Sequence, residues 1–407
     1  MYFIPGYVRY WEEDDNIFVQ SALTGNVVRL FDPLIKKEFA EHISNKKEIN
    51  ALDSPLTQFL HRESLITNSE EAMTVLALFK ENMTNYGIYT IMPTEACNFR
   101  CSYCYENHPN REMSYDTLNT IKKYIVNEAP RLKAASVNWF GGEPTLCRDE
   151  VLECSEDMYS YYNGIGKKIS ITMTTNGYLL SEEDFCRYYK AGIKSFQITM
   201  DGYEHDSMRK LANGDGTLSR ITDNLDLIKS LSPDMYQFEI IIRRNIGLND
   251  SDLEWYDYMN SKYGNDPRFK FVIHKIFDCK HISNNELAQR ENLNYDSHKR
   301  YIEKLGLNMY NKDVPFGDIC YASYPNSCVF RADGYIEKCT VCLGDERNII
   351  GRVHDGRVNI DDKELNDKWC TNNLPEKCLT CKKVLSCLNL RCRRYTLIDK
   401  PGTLSCA

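Results

Sequence analysis

The chain has 407 residues, 42% hydrophobic and 27% charged, which is enough apolar content for a buried core and excludes disorder as its main state. Single cores stop growing near roughly 250–300 residues, so two or three domains are expected. A net charge of −8 argues against nucleic acid as a partner, and neither an apolar run of about twenty residues nor an export-type start is present, so a soluble, cytoplasmic protein with no membrane partner is expected.

Residues 1–85 read as a separate module. Asn16 to Ala22 and Val27 to Leu30 alternate apolar and polar residues around Thr24-Gly25-Asn26, the pattern of a hairpin. Amphipathic stretches follow at Pro33–Ile43, Ser54–Arg62 and Ser69–Met83, the last opening with Ser69, Glu70 and Glu71 in N-cap and first-turn positions. Strands with short helices at this size predict a winged-helix-like fold. Residues 86–312 change to a β/α alternation, with β-rich runs at Gly87–Met92, Ser136–Phe140, Lys168–Thr174, Lys194–Met200, Phe238–Arg243 and Phe269–Ile276. Six such units predict an α/β fold, a βα barrel or part of one, with its reactive site at the C-terminal strand ends. Residues 313–407 lose this periodicity and become Cys-rich, as expected of a segment that folds around metal.

Seventeen cysteines without an export signal point to metal rather than disulfides. Cys97, Cys101 and Cys104 fall within eight residues directly after the first predicted barrel strand, and ten more crowd the last quarter. Three thiolates on one loop can hold three irons of a [4Fe–4S] cube and leave the fourth iron open. Zinc prefers four closed ligands, and His108 is the one nearby candidate for a fourth. Cys147, Cys154, Cys186 and Cys279 are scattered and read as small buried apolar residues.

The CxxxCxxC arrangement, with Tyr103 before the third Cys, resembles the signature of the radical S-adenosylmethionine enzymes. Gly141-Gly142-Glu143-Pro144 is similar to the family's GGEP loop, Thr174-Thr175-Asn176-Gly177 to its TNG element, and Gln197 to Gly202 to its fourth-strand segment. The resemblance implies a partial (β/α)6 barrel, and that Gly141, Gly142 and Glu143 receive the cofactor's ammonium, that Thr199 meets its ribose and that Asn176 belongs to the same site. Gly216-Thr217-Leu218-Ser219-Arg220 is similar to the stretch whose arginine, here Arg220, pairs with the cofactor carboxylate. Asp201, His205, Asp206 and Arg209 follow the fourth strand and are candidates for the substrate mouth.

The tail resembles a SPASM domain, which implies two auxiliary [4Fe–4S] clusters and three in all. By that resemblance Cys320, Cys339 and Cys392 serve the first, and Cys378, Cys381, Cys387 and Cys406 the second. Cys328 or Cys342 is available as a further ligand of the first, or its iron stays open for a substrate thiol. Four residues rather than three separate Cys387 from Cys392, a departure from the pattern. A pair of zinc ribbons is the competing reading of these cysteines.

The segments around Cys320 and Cys339 look like those of maturases of cysteine-rich precursor peptides, and the N-terminal module resembles the recognition domains fused to such enzymes. This implies a ribosomal-peptide maturase that binds its precursor through a leader, on the strand Ile17–Ala22 or its hairpin partner, and forms a Cys thioether. It implies S-adenosylmethionine as cofactor and a flavodoxin- or ferredoxin-type electron donor. A carbon–carbon cross-linking maturase is the alternative. A sulfatase-type maturase is disfavoured by Thr340, where those relatives carry Asp. An iron–sulfur sensor or zinc scaffold is the non-enzymatic reading.

Overall fold

The alternation after residue 85 takes shape, in the computed structural model, as six parallel strands: β1 (Tyr86–Ile91), β2 (Ala134–Trp139), β3 (Lys168–Thr175), β4 (Ile193–Thr199), β5 (Glu239–Ile246) and β6 (Phe269–Lys275). The structure describes residues 1–22, 27–44, 49, 52–247, 250–276, 285–310, 319–371 and 374–403. Contacts divide the chain into two compact units, one of residues 86–311 with 326–365, the other of residues 1–85, 312–325 and 366–407.

In the first unit the strands lie in sequence order, and β1 is paired on its other side with β7 (Asn326–Phe330), also parallel. The sheet then continues through β8 (Tyr335–Glu337), β9 (Ile349–His354) and β10 (Arg357–Asn359), all antiparallel. The barrel is therefore partial, with β7 occupying the edge of β1 that closure would need. Residues 326–365, expected to belong with a metal-built tail, are instead an extension of this sheet. Their Phe330, Ile336 and Ile350 are buried in the same apolar core as Tyr89, Trp139 and Phe196.

Helices Tyr115–Glu128, Arg148–Gly164, Glu182–Lys190, Leu218–Ser230 and Glu254–Tyr263 fall between successive strands. Ser114 and Ser181 start two of them by accepting from the N–H groups of Thr117 (3.2 Å) and Asp184 (3.1 Å). Phe185 on one helix meets Phe196 of β4 at 5.1 Å and Phe238 at 4.9 Å between ring centroids. Burying each such ring contributes about 1.5–3 kcal/mol. Cys147 and Cys154 lie in this core as apolar side chains, while Cys279 lies outside the described residues.

In the second unit an antiparallel sheet orders Val8–Glu13, Asn16–Ser21 and Val27–Leu30, followed by helices Pro33–Ser44, Pro55–Arg62 and Ser69–Glu81. The turn Thr24-Gly25-Asn26 lies outside the described residues. The strand Val8–Glu13 was not legible, because five of its six residues are exposed and mostly polar. Its presence makes Asn16–Ser21 the central strand, so Ile17–Ala22 has no free edge for an added strand. The partner Val27–Leu30 is an edge strand, as is Val8–Glu13. The third helix is capped one residue earlier than read, by Asn68, whose Oδ1 accepts from Glu71 N (2.9 Å) while Glu71 accepts from Asn68 N (3.2 Å).

Candidate functional site

The loop after β1 carries the cysteine triplet and is fixed backbone to backbone against the loop after β2. Gly142 N donates to Thr94 O (3.2 Å) and Glu143 N to Ala96 O (2.9 Å). A Cβ on Gly142 would stand 2.2 Å from Ala96 O, and one on Gly141, where φ is +112°, 2.3 Å from Thr94 O. The glycine pair is thus required by close approach. Glu143 lies beneath, fully buried, accepting from Thr145 N (3.1 Å), Thr145 Oγ1 (2.6 Å), Thr175 Oγ1 (2.6 Å) and Asn176 N (2.7 Å). Burial pushes its pKa up, against these four donors. Glu143, expected to receive an ammonium group, is instead a strut that ties this turn to the end of β3.

A cavity of about 420 Å³ opens at the C-terminal ends of the strands. Cys97, Cys101 and Cys104 line it together with Gly141, Gly142, Asn176, Thr199 and Arg243. Thr199 and Arg243 are register partners on β4 and β5. Burial pushes the Cys97 thiol up to about 12, with Glu143 adding to it, and the Cys104 thiol up to about 11. Burial also raises Cys101, with Arg209 opposing. Such thiols keep their protons until a cation binds and displaces them.

Arg220 is exposed on the helix Leu218–Ser230 and is not in the cavity wall. Arg209 is. A short ribbon pairs Arg209–Leu211 with Phe99–Cys101 and sets Arg209 opposite Cys101. Its guanidinium donates to Tyr103 OH (2.8 Å), and its Nε is buried without a partner among the described residues. Tyr103 donates to Asp201, and Asn245 donates to Asp201 from its backbone (2.8 Å) and to Tyr103 OH from its amide (3.0 Å).

Asp201, His205 and Asp206 do not form a substrate mouth. Asp201 is buried, its pKa pushed up by burial and held down by Arg209. Asp201 N donates to His205 Nδ1 (3.1 Å), so the ring proton is on Nε2, facing Thr217 Oγ1 (3.1 Å), which in turn donates to Arg209 O (2.7 Å). Burial, then Arg209, lowers His205 to about 3, so the imidazole is neutral. Asp206 Oδ1 accepts from Thr217 N (2.7 Å) and Leu218 N (2.9 Å) at the start of a helix. Sequence reasoning missed Arg243 and Asn245, which no local motif marks.

With this geometry in place, comparison with known proteins decides the domain. Residues 91–257 match the family model described as the Radical SAM superfamily. The chain carries a radical SAM domain. It is 29% identical over 162 residues to a GTP 3′,8-cyclase of Tolumonas auensis, covering 39% of this chain and 45% of that one. It is 30% identical over 177 residues to that of Stenotrophomonas maltophilia, covering 42% and 50%. The chain thus spans about half the length of these curated relatives. The fold is similar to anSMEcpe with bound AdoMet (TM-score 0.58, 18% identity, 78% of this chain and 92% of that one). It is also similar to Streptococcus suis SuiB bound to precursor peptide SuiA (TM-score 0.55, 15% identity, 99% and 98%).

Within the radical SAM domain's unit, Cys339 and Cys342 sit on one loop organised by the buried Asn348. Its Oδ1 accepts from Cys339 N (2.9 Å), and its amide nitrogen lies 2.9 Å from Cys339 O and 3.0 Å from Cys342 O. Thr340, next to Cys339, lines the cavity. Cys328 is the register partner of Tyr89 and is buried in the apolar core, where the Tyr89 and Tyr124 phenols sense it. Cys342, by contrast, shares the loop of Cys339.

In the other unit, Cys378 and Cys381 follow each other in a turn closed by Cys381 N donating to Cys378 O (3.1 Å), and Cys387 ends the helix Val384–Cys387. Between Cys387 and Cys392, Leu388 and Asn389 both take left-handed backbone (φ 45° and 56°). Leu390 O then accepts from Cys320 N (2.8 Å). Cys406 lies outside the described residues. Among those residues, no helix is long and apolar enough to cross a membrane.

Proposed function

We propose that the chain is a radical S-adenosylmethionine enzyme that matures a ribosomally made peptide, most simply by forming a Cys thioether. The observation that carries this reading is the convergence of Cys97, Cys101 and Cys104 with Asn176, Thr199 and Arg209 on one cavity at the C-terminal strand ends. The donor set fits a [4Fe–4S] cluster: three thiols that need a cation, on one loop, with no fourth Cys near them in sequence. The unpartnered Arg209 Nε fits the carboxylate of S-adenosylmethionine, a role first read for Arg220. Bound together, cluster and cofactor supply one electron and a 5′-deoxyadenosyl radical that takes a hydrogen atom.

On this reading Thr199 faces the ribose, Gly141 and Gly142 leave room for the cofactor, and the buried Asp201–Tyr103–Asn245 network holds Arg209 in place. The substrate thiol loses a proton, the attacked carbon loses a hydrogen atom, a C–S bond forms and one electron is left over. Cys339 would help to hold an auxiliary cluster able to accept that electron, and Cys378, Cys381, Cys387 and Cys406 would hold a second. The leader would add to an edge strand of the N-terminal sheet, Val27–Leu30 or Val8–Glu13. Thr340 in the cavity wall supports this over a sulfatase-type reaction, which uses a carboxylate there.

The test is anaerobic reconstitution, reduction and assay for 5′-deoxyadenosine, first alone and then with a leader-bearing, Cys-containing peptide. Product that is lost in Cys97→Ala/Cys101→Ala/Cys104→Ala is expected. A thioether removes the alkylatable thiol from the peptide, whereas a carbon–carbon link keeps it. Zinc in place of iron, with no 5′-deoxyadenosine, would overturn the reading.

A further inference from the structure

His108 lies four residues beyond Cys104 in the cavity wall, with Nε2 3.1 Å from Cys104 Sγ. Its backbone is left-handed, φ +47°, a conformation side chains other than glycine rarely adopt. The fold therefore accepts local strain at the residue that places this ring on this sulfur. The ring's other nitrogen, Nδ1, is buried with no partner among the described residues. A proton on Nε2 faces the sulfur, so the Nε2–H tautomer is the one that gives Cys104 a donor. A thiolate bound to iron carries lone pairs and no proton, so the contact is favourable as Nε2–H donating to Cys104 Sγ.

We propose that His108 is a positioning residue that donates a hydrogen bond to the Cys104 thiolate and thereby raises the reduction potential of the cluster held by Cys97, Cys101 and Cys104. This rests on the reading that those three cysteines hold a [4Fe–4S] cluster. Hydrogen bonds to cluster sulfurs draw electron density from the iron and favour the reduced state, which is one of the levers a protein has on such a potential. His108, noted in the sequence as a candidate zinc ligand, is placed by the fold of the loop against Cys104 Sγ.

The experiment is a redox titration of the reconstituted full-length protein followed by electron paramagnetic resonance, reading the reduced-cluster signal that Cys97→Ala removes. His108→Leu and His108→Phe remove the donor with different shapes, and His108→Gln keeps an N–H. Both non-donors are expected to cut the reduced-to-oxidised ratio at a fixed potential about tenfold, equivalent to about 59 mV for a one-electron couple, with His108→Gln closer to wild type. An unchanged potential in either non-donor that keeps its iron overturns the proposal. So does an equal shift in His108→Gln, or loss of iron from both non-donors, which would make the residue structural. A wild-type protein with no signal sensitive to Cys97→Ala would instead overturn the cluster reading beneath it.

Discussion

Arg209 and Arg220 lie eleven positions apart in the chain, yet only Arg209 reaches the cavity, because a three-residue ribbon sets it opposite Cys101. A hydrogen bond between charged partners contributes about 1.5–3 kcal/mol. Arg209→Ala is therefore expected to weaken S-adenosylmethionine binding by roughly 10- to 100-fold, while Arg220→Ala leaves it unchanged. Calorimetry on iron-loaded protein reads both, and an Arg220→Ala variant that loses binding would restore the motif-based assignment. His205 supplies a second test at this scale. Its folded pKa of about 3 lies below the ordinary value near 6.5, so its contribution to stability is complete above about pH 6.5 and is lost as pH falls toward about 3. Asp201 and Glu143, whose pKa values burial raises, work in the opposite sense, so a variant is needed to isolate the histidine. The stability advantage of wild type over His205→Asn is expected to shrink by about 2 kcal/mol between pH 7 and pH 5. Denaturant midpoints at the two pH values measure it, and an advantage that stays constant would mean that His205 is not held neutral.

The elements divide by how much of their cause is local. All six barrel strands were legible because their buried apolar runs are long and bounded by turn residues, and the observed ends differ by at most three residues from those read. The ribbon Phe99–Cys101 with Arg209–Leu211 was not, since three residues carry no periodicity and only the tertiary pairing creates it. The Asn348 side chain that organises the Cys339 loop left no signal for the same reason: one asparagine among polar neighbours is locally uninformative. Glu143 shows the converse case, a motif residue that was found but whose side chain the fold uses for support. The loop contact beside it yields a direct test. In Gly142→Ala the new Cβ would meet backbone, Ala96 O at 2.2 Å, so the cysteine loop must move. We expect this variant to load about four fewer irons per chain, one cluster's worth, as read by iron and sulfide analysis. Full loading would show that the loop tolerates the displacement.

At the scale of the whole molecule, the cysteines are shared between two compact units. Cys97, Cys101, Cys104, Cys339 and Cys342 belong to the unit built on the ten-stranded sheet, whereas Cys320, Cys378, Cys381, Cys387 and Cys392 belong to the unit that begins with the N-terminal module. Within the latter the approach is close: Gly6 N donates to Leu379 O (2.8 Å), and a Cβ on Gly6 would lie 1.9 Å from Cys381 O. The segment carrying Cys378 and Cys381 is thus folded against the first residues of the chain. Sites without shared partners behave additively. On the three-cluster reading, the wild type carries about twelve irons, and both Cys97→Ala/Cys101→Ala/Cys104→Ala and Cys378→Ala/Cys381→Ala/Cys387→Ala retain about eight. The first variant loses 5′-deoxyadenosine altogether, whereas the second still cleaves the cofactor, because the described residues that line the cavity all belong to the first variant's unit. Iron counts and product assays on the two variants separate the alternatives. Loss of all iron from either would mean that the clusters assemble as one cooperative set, and loss of cofactor cleavage from the second would tie Cys378, Cys381 and Cys387 to the radical step itself.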